Sequence, residues 1–333
     1  MLPDALGRRL GFLLVAALLV TAGTVPATDP LLAHAAPRCP TSDSPTQALA
    51  LNFQGIVTRL PLSSAFVLPG DTLDLEVGAP SGTGPVSVRP SAGAVTEIDA
   101  ANWRWQAPRT PGSYALRIIP ACGSDSVTVR AFVMVPATAV HAGSLNGFRI
   151  GRYPPAPVRR QTAYRPPAGF IEVTPENEDL HVTPHLRLRQ FLTKQPGEFP
   201  KYVVLDPRLL LKLELILQQA QAAGLVKQGF YVMSGYRTPA YNRDLGNVEF
   251  SRHQYGAAAD IFIDEHPKDG VMDDLNHDGR IDIRDAAVLY RLIDRNRTDP
   301  AFRPLVGGLA MYPSTSAHGP FVHVDVRGYA ARW

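Results

Sequence analysis

Residues 251–263 read SRHQYGAAADIFI, and this stretch decides the fold and the chemistry of the C-terminal half. His253 precedes Asp260 by seven residues, and the small residues between them let the chain fold tightly. Asp260 opens an apolar strand, so the sheet fixes the direction of its side chain. A later strand, 321–326, reads FVHVDV and carries His323. Two imidazoles and one carboxylate, with a fourth position left for water, are typical ligands of catalytic zinc.

Each of these three residues also has an ordinary structural explanation. A lone histidine is more often a surface residue or a satisfied core residue, and Asp260 could merely cap a strand. The triplet with its surrounding pattern is much more specific than any pair of His and Asp. We therefore predict a zinc site at His253, Asp260 and His323.

The same segment resembles a known family. Residues 234–264 and 307–333 are similar to the zinc D-alanyl-D-alanine carboxypeptidase family and its endopeptidase relatives, which cleave peptidoglycan stem peptides. The family pattern SxHxxGxAxD is matched at every fixed position, by Ser251, His253, Gly256, Ala258 and Asp260. The resemblance covers about residues 145–333. It implies an α+β domain, with a small antiparallel sheet, flanking helices and zinc in an open groove.

The resemblance also implies roles for single residues. It implies the same three zinc ligands and hydrolysis of a D-amino-acid amide bond by attack of zinc-bound water. Arg237, in the segment SGYRT, resembles the family arginine that faces the scissile carbonyl, where it would stabilise the oxyanion alongside zinc. A structural salt bridge is the alternative for Arg237. Ser251 is expected to hold the substrate carboxylate or to orient the loop, and Tyr236 is expected to bind substrate.

Two residues are candidates for the general base. Some relatives use an acidic residue three positions before the last ligand, but that position is Pro320 here. Another branch has a catalytic histidine five positions before the ligand, which is His318 here. Asp325 lies two residues after His323, on the same face of the strand, and is the other candidate. Asp325 could equally orient a ligand imidazole.

An insertion between Asp260 and His323 predicts a second metal. Residues 274–285 read DLNHDGRIDIRD, which matches the EF-hand calcium loop in its variant with Asp at position twelve. Gly279 would allow the sharp turn, and a helix is expected to follow from residue 286 to 293. The predicted ligands are Asp274, Asn276, Asp278, Asp282 and Asp285 through side chains and Arg280 through its carbonyl. We expect a structural Ca²⁺; a solvated acidic turn is the alternative.

The N-terminus predicts export. Arg8 and Arg9 precede a 13-residue apolar run, 10–22, which suits a signal-peptide core better than a bilayer span of ~20 residues. Cleavage after Ala35 makes 1–35 the signal peptide, whereas an uncleaved segment would anchor the protein in the membrane. We expect a periplasmic or cell-envelope location. An oxidising compartment predicts one disulfide between the two cysteines, Cys39 and Cys122.

The pattern of strands, turn signals and prolines divides the remaining chain into three parts. Short strands separated by turn signals predict an all-β, immunoglobulin-like sandwich at 36–136. Proline pairs mark 137–200 as a linker and lead-in, in which His181 and His185 are unsuited to one helical face because Pro184 intervenes. The zinc peptidase domain is placed at 201–333. Its first helix should begin after Asp206 and end at Gly224.

Charge and composition exclude other classes of function. The net charge is only +3, and no run of lysine and arginine suggests nucleic acid as a partner. We expect a monomeric, exported zinc peptidase that acts on peptidoglycan peptides, as a carboxypeptidase or an endopeptidase. The alternative is a non-catalytic peptidoglycan-binding or scaffold protein that keeps the zinc fold.

Overall fold

The computed structural model describes residues 48–122, 125–153 and 162–333. The predicted signal peptide and Cys39 lie outside these ranges. The residues in these ranges belong to one compact unit by their contacts. The described chain is mostly β-sheet with few helices.

Nine strands in two sheets form the first part of the chain. The strands are β1 (Ala50–Phe53), β2 (Ile56–Thr58), β3 (Leu62–Val67), β4 (Thr72–Gly78), β5 (Val86–Pro90), β6 (Ala94–Glu97), β7 (Asn102–Gln106), β8 (Gly112–Pro120) and β9 (Val127–Val133). One sheet has the order β2-β1-β4-β7-β6, and the other has the order β3-β9-β8-β5. Neighbours are antiparallel except β3 and β9, which are parallel.

Alternating burial explains how these two sheets make a core. In β4 every second residue is buried, as the period-two pattern predicts. Trp105 of β7 is fully buried, and its ring lies 6.4 Å from that of Tyr114 in the opposite sheet. A β-rich N-terminal region is therefore confirmed, while its immunoglobulin-like identity stays a prediction.

The segment predicted as a linker is packed into the folded unit. It contains β11 (Ser144–Leu145), β12 (Phe148–Arg149) and β13 (Gly169–Val173), and it is flanked by β10 (Val135–Pro136) and β14 (Lys201–Val203). Strands β10, β13 and β14 form one sheet, whereas β11 and β12 form a separate pair. Apolar side chains such as Val182 and Phe191 are fully buried, so hydrophobic packing keeps this proline-rich segment in place despite its lack of regular helix.

The last part of the chain is a five-stranded sheet with three α-helices. The strands are β15 (Tyr231–Ser234), β16 (Ala258–Phe262), β17 (Gly308–Tyr312), β18 (Phe321–Asp325) and β19 (Ala331–Arg332), in the order β15-β16-β18-β17-β19. All neighbours are antiparallel except β17 and β19. The helices are α1 (Pro207–Ala222), α2 (Pro239–Asp244) and α3 (Ile283–Arg295). An α+β arrangement is thus present, as expected.

Helix α1 begins and ends where the sequence predicts. The Asp206 side chain accepts a hydrogen bond from the backbone N–H of Arg208 and so caps the helix, with Pro207 in its first turn. Gly224, just beyond the end, adopts a positive φ of 72°. No helix within the described ranges is long and apolar enough to span a membrane.

Short 3₁₀ helices connect these elements. They span Ala137–Ala139, Thr162–Tyr164, Leu188–Phe191, Arg252–Tyr255, Asn296–Thr298 and Pro300–Leu305. The one at Arg252–Tyr255 leads directly into β16 and carries His253.

Candidate metal centre

Strand register brings the predicted zinc ligands together. Asp260 in β16 lies directly opposite His323 in β18, and paired residues of antiparallel strands project to the same face. His253 comes from the 3₁₀ helix before β16. That helix ends at Gly256, where φ is +62° and where a Cβ would collide with the carbonyl group of Val204. Glycine therefore allows the chain to turn from the helix into the strand.

The three side chains offer one ligand atom each at a common point. His253 Nε2 lies 3.3 Å from His323 Nδ1 and 3.3 Å from Asp260 Oδ1. His323 Nδ1 lies 2.8 Å from Asp260 Oδ1. All three residues are buried, and theirs is the only such group of three or more His, Cys, Asp or Glu residues found in the described ranges.

These distances fit a tetrahedral metal. Bonds of about 2.1 Å in a tetrahedral zinc site place ligand atoms roughly 3.4 Å apart. Two of the three edges have almost this length. Two neutral imidazoles and a carboxylate are also the donor set that suits zinc, and the residues present therefore fit this ion.

The protonation of the site follows from its burial and charges. Burial lowers the pKa of His253, which favours the neutral imidazole that a metal requires. Burial opposes ionisation of Asp260, but its contacts with His253 and His323 outweigh this effect and hold its pKa well below the usual range. For His323, hydrogen bonds with Asp260 and Asp325 outweigh burial and raise the pKa. A metal ion and a proton would therefore compete for His323.

The nitrogens that face away from the site are held by oxygen acceptors. His253 Nδ1 lies 2.7 Å from the carbonyl oxygen of Gly235, and His323 Nε2 lies 3.2 Å from Asp325 Oδ2. Such partners fix the ring orientation and direct His253 Nε2 and His323 Nδ1 to the common point. The two histidines thus use different ring nitrogens.

Asp325 is fully buried, and other groups occupy its carboxylate. Oδ1 accepts hydrogen bonds from the backbone N–H groups of Gly308 and Arg327, and the Arg327 guanidinium contacts both oxygens. Burial raises the pKa of Asp325, but hydrogen bonds with His323 and Arg327 outweigh it, so the pKa lies well below its usual range. This geometry suits an orienting group better than a general base.

An open cleft of about 720 Å³ gives access to the cluster. Arg237 lines it and donates from Nη2 to Asp260 Oδ2 at 2.6 Å, while its Nε donates to Ser234 Oγ at 2.8 Å. The predicted base His318 and the predicted substrate residue Ser251 also line the cleft. His318 Nδ1 lies 2.8 Å from the carbonyl oxygen of Gly319, which can only accept, so Nδ1 carries the proton and Nε2 has a free lone pair.

Tyr236 does not fit its predicted contact with substrate. Its side chain is 1% exposed, and its hydroxyl forms a 2.8 Å hydrogen bond with that of Tyr153. Burial raises the pKa of Tyr236, so the phenol stays neutral. We correct its assignment to a core residue, since aromatic packing beneath the cleft removes it from any ligand.

The predicted calcium loop uses its acidic side chains in another way. Asp274 accepts hydrogen bonds from the backbone N–H groups of Asp278 and Gly279, and Asn276 accepts one from Asp278. Asp282 caps α3, and the fully buried Asp285 accepts from the N–H groups of Asn276 and Asp282. Gly279 has the expected positive φ of 79°. The turn and the following helix are present, whereas no metal cluster is found at these carboxylates within the described ranges, and calcium is unsupported.

Two predictions remain, the calcium ligand Arg280 and the disulfide. Arg280 of the loop is exposed, and its backbone N–H bonds to Asp278 Oδ1. Cys122 is buried, whereas Cys39 lies outside the described residues, so the disulfide stays a prediction.

Three side chains near the site were not singled out from the sequence. Arg327 holds Asp325, and Trp333 places its ring 5.5 Å from that of His323 and 4.8 Å from the Arg327 guanidinium. Lys212, buried in α1, donates to the backbone carbonyl of Asp325 at 2.7 Å. Burial lowers the pKa of Lys212 to about 8. In the sequence, the signal for Lys212 is a lysine within an otherwise apolar helix face.

Comparison with protein families supports the metal site. Residues 198–284 match the family model described as Peptidase M15. The matched range includes Arg237, Ser251, His253 and Asp260 and ends before His323. The match supports a metallopeptidase of the M15 zinc peptidase family. No curated protein matches the chain significantly.

Proposed function

We propose that this protein is an exported zinc peptidase that hydrolyses stem peptides of peptidoglycan. The observation that carries the proposal is the cluster of His253, Asp260 and His323 at the base of an open cleft. A cleft of about 720 Å³ has the size of a site for a small peptide segment. The carboxypeptidase or endopeptidase type is part of this proposal and rests on the SxHxxGxAxD resemblance.

The ligand residues set the chemistry of the site. When bound, zinc supplies Lewis-acid polarisation of a carbonyl and lowers the pKa of water. Asp260 and the two histidines would hold the ion, and Asp325 would keep the His323 ring in its ligating orientation. Because the Asp325 carboxylate is itself fixed by Arg327, the orientation of His323 is set before substrate binds.

Arg237 and His318 would act on the substrate and its protons. The Arg237 guanidinium, fixed by Ser234 and Asp260, would lie beside the peptide carbonyl and stabilise negative charge on its oxygen. His318 is the proposed general base, because it lines the cleft and its Nε2 can accept a proton when Nδ1 donates to the Gly319 carbonyl. It would take the proton of the attacking water and return it to the leaving amine as the C–N bond breaks.

The test uses a stem pentapeptide and purified cross-linked peptidoglycan as substrates. We expect zinc-loaded wild type to release D-Ala from the pentapeptide or monomeric muropeptides from the cross-linked wall. The first product defines a carboxypeptidase and the second an endopeptidase. His323→Ala should lose either activity, whereas His141→Ala, outside the cleft, serves as the control. Absence of both products from folded, zinc-loaded protein would contradict the proposal and favour a non-catalytic peptidoglycan-binding protein.

A further inference from the structure

A second cavity of about 680 Å³ lies next to the metal cleft. Met233 of β15 lines both cavities, so the two adjoin at this residue. We infer that the second cavity is a remote subsite for an acidic segment of an extended peptide substrate. This inference rests on the proposed peptidase function and assigns it a longer, carboxylate-bearing substrate.

The sheet places the second cavity at a defined distance from the metal ligands. Asp260 and Phe262 are two residues apart in β16, and side chains at this spacing project to the same face of the sheet. Asp264, two residues further, lines the second cavity. At about 3.3 Å per residue, the four residues from Asp260 to Asp264 span roughly 13 Å. An extended peptide would cover this distance with about four residues beyond the bond that is cut.

An aromatic pair lies at the second cavity. The Tyr231 ring stacks on that of Phe262 with centroids 4.6 Å apart and an interplanar angle of 19°. Phe262 is buried, whereas Tyr231 is 41% exposed and lines the second cavity. The stack fixes the Tyr231 ring and leaves its outer surface to contact a ligand.

A buried carboxylate fixes an imidazole at the rim of the second cavity. Glu214 is fully buried and accepts hydrogen bonds from the Thr183 hydroxyl and from the backbone N–H of His185. Its Oε2 lies 2.8 Å from His185 Nδ1, which must carry the proton because a carboxylate only accepts. The imidazole of His185 is therefore held rigidly at the cavity, although it lies away from the metal site.

Two exposed lysines are the cations that the rim offers to an acidic ligand. Arg187, Arg189, Lys194 and Lys268 line the second cavity together with Glu178, Asp264 and Glu265, and Arg189 is already paired with Asp179 at 2.8 Å. Asp264 and Glu265 already accept backbone N–H groups, Asp264 from two residues and Glu265 from three. Lys194 and Lys268 are exposed and reach the solvent side of the cavity. These two lysines are the cations that a ligand carboxylate would meet.

The test reverses this charge and compares a short with a long substrate. The variant is Lys194→Glu/Lys268→Glu, and the control is Lys227→Glu, because Lys227 is an exposed lysine that lines neither cavity. The short substrate is a neutral dipeptide amide, and the long one is a cross-linked muropeptide dimer. We expect the double variant to raise KM for the dimer about tenfold, because two exposed ion pairs are lost and their charge is reversed, with kcat unchanged. Cleavage of the short substrate should not change.

Two results would overturn the inference. One is an unchanged KM for the dimer, and the other is an equal loss on short and long substrates, which would indicate general damage. If no form of the protein cleaves either substrate, the proposed function fails, and calorimetric titration of zinc-loaded protein with the dimer decides the subsite separately. Binding weakened about tenfold by the double variant, but not by Lys227→Glu, would support it. Equal binding by both would contradict it.

Discussion

Gly256 shows how one residue permits the whole metal site. It adopts a left-handed conformation in direct contact with the backbone of Val204. We expect Gly256→Ala to lower the free energy of unfolding by about 2–4 kcal/mol, because strain and collision add. Gly224→Ala is the matched control, since Gly224 also has a positive φ but has open space around it; it should cost about 1 kcal/mol. Urea unfolding measures both, and equal costs would contradict the collision.

Asp325 provides a second test at the scale of single residues. Removing the charge that orients His323 should weaken zinc affinity about 10- to 100-fold, as the loss of such partners usually does. We therefore expect this loss in Asp325→Asn, measured by competition with a chelator. Asp74→Asn, which removes an exposed carboxylate paired with Arg104, should leave the affinity unchanged. An unchanged affinity in Asp325→Asn would show that His323 needs no orienting partner.

Some of the site could be predicted from sequence and some could not. His253, Asp260 and His323 were predictable because their spacing and strand context limit what they can do. The occupied carboxylate of Asp325 was not, because it depends on Gly308, which only strand pairing brings to it, and on the Arg327 side chain, which folds back onto a residue two positions earlier. Likewise, Tyr236 is adjacent to Arg237 in sequence, but alternate directions along the chain send one into the core and the other to the cleft.

At the scale of elements, the carboxylates of the loop before α3 accept hydrogen bonds from nearby backbone N–H groups. Asp282 and Asp285 form a reciprocal cap with the first turn of the helix. We expect Asp285→Ala to lower the free energy of unfolding by about 1–3 kcal/mol, since it removes a buried acceptor of two backbone N–H groups. Thermal unfolding should show the same loss with calcium and with a calcium chelator. A wild-type midpoint that rises with calcium would restore the calcium prediction.

The twelve-residue pattern predicted the shape of this loop correctly. Gly279 turns the chain and α3 follows, as the motif requires. The pattern could not show whether the Asp and Asn side chains of the loop converge on one cation. Such side chains can accept hydrogen bonds from nearby backbone N–H groups as readily as they bind a cation. Arg284 also pairs with Asp278 and Asp282, at 2.9 and 2.7 Å, and supplies positive charge locally.

At the scale of the whole molecule, the N-terminal sheets are bonded to the lead-in before α1. The buried Ser64 hydroxyl donates to the carbonyl oxygen of Val182 at 2.6 Å, and Arg130 donates to that of His181 at 2.8 Å. We therefore expect a single cooperative unfolding transition, and Ser64→Ala should lower its free energy by about 1 kcal/mol. Ser87→Ala, on an exposed strand position, is the control. Two separate calorimetric transitions would show that the parts unfold independently.

The boundary predicted at residue 136 rests on turn signals and prolines, which carry no information on long-range burial. Val182 and Phe191 are fully buried in a stretch that lacks regular helix. Such packing depends on contacts with residues over a hundred positions away, as the bond between Ser64 and Val182 shows. The sequence pattern alone therefore could not predict that Val182 and Phe191 are buried.

Zinc stoichiometry tests the central claim most directly. The measurement is metal content by mass spectrometry of protein equilibrated with zinc and then dialysed against a weak chelator. We predict one zinc per chain in wild type and loss of that zinc in His253→Ala, Asp260→Ala and His323→Ala, with His185→Ala unchanged. A wild-type protein that retains no zinc, or ligand variants that retain it fully, would contradict the account.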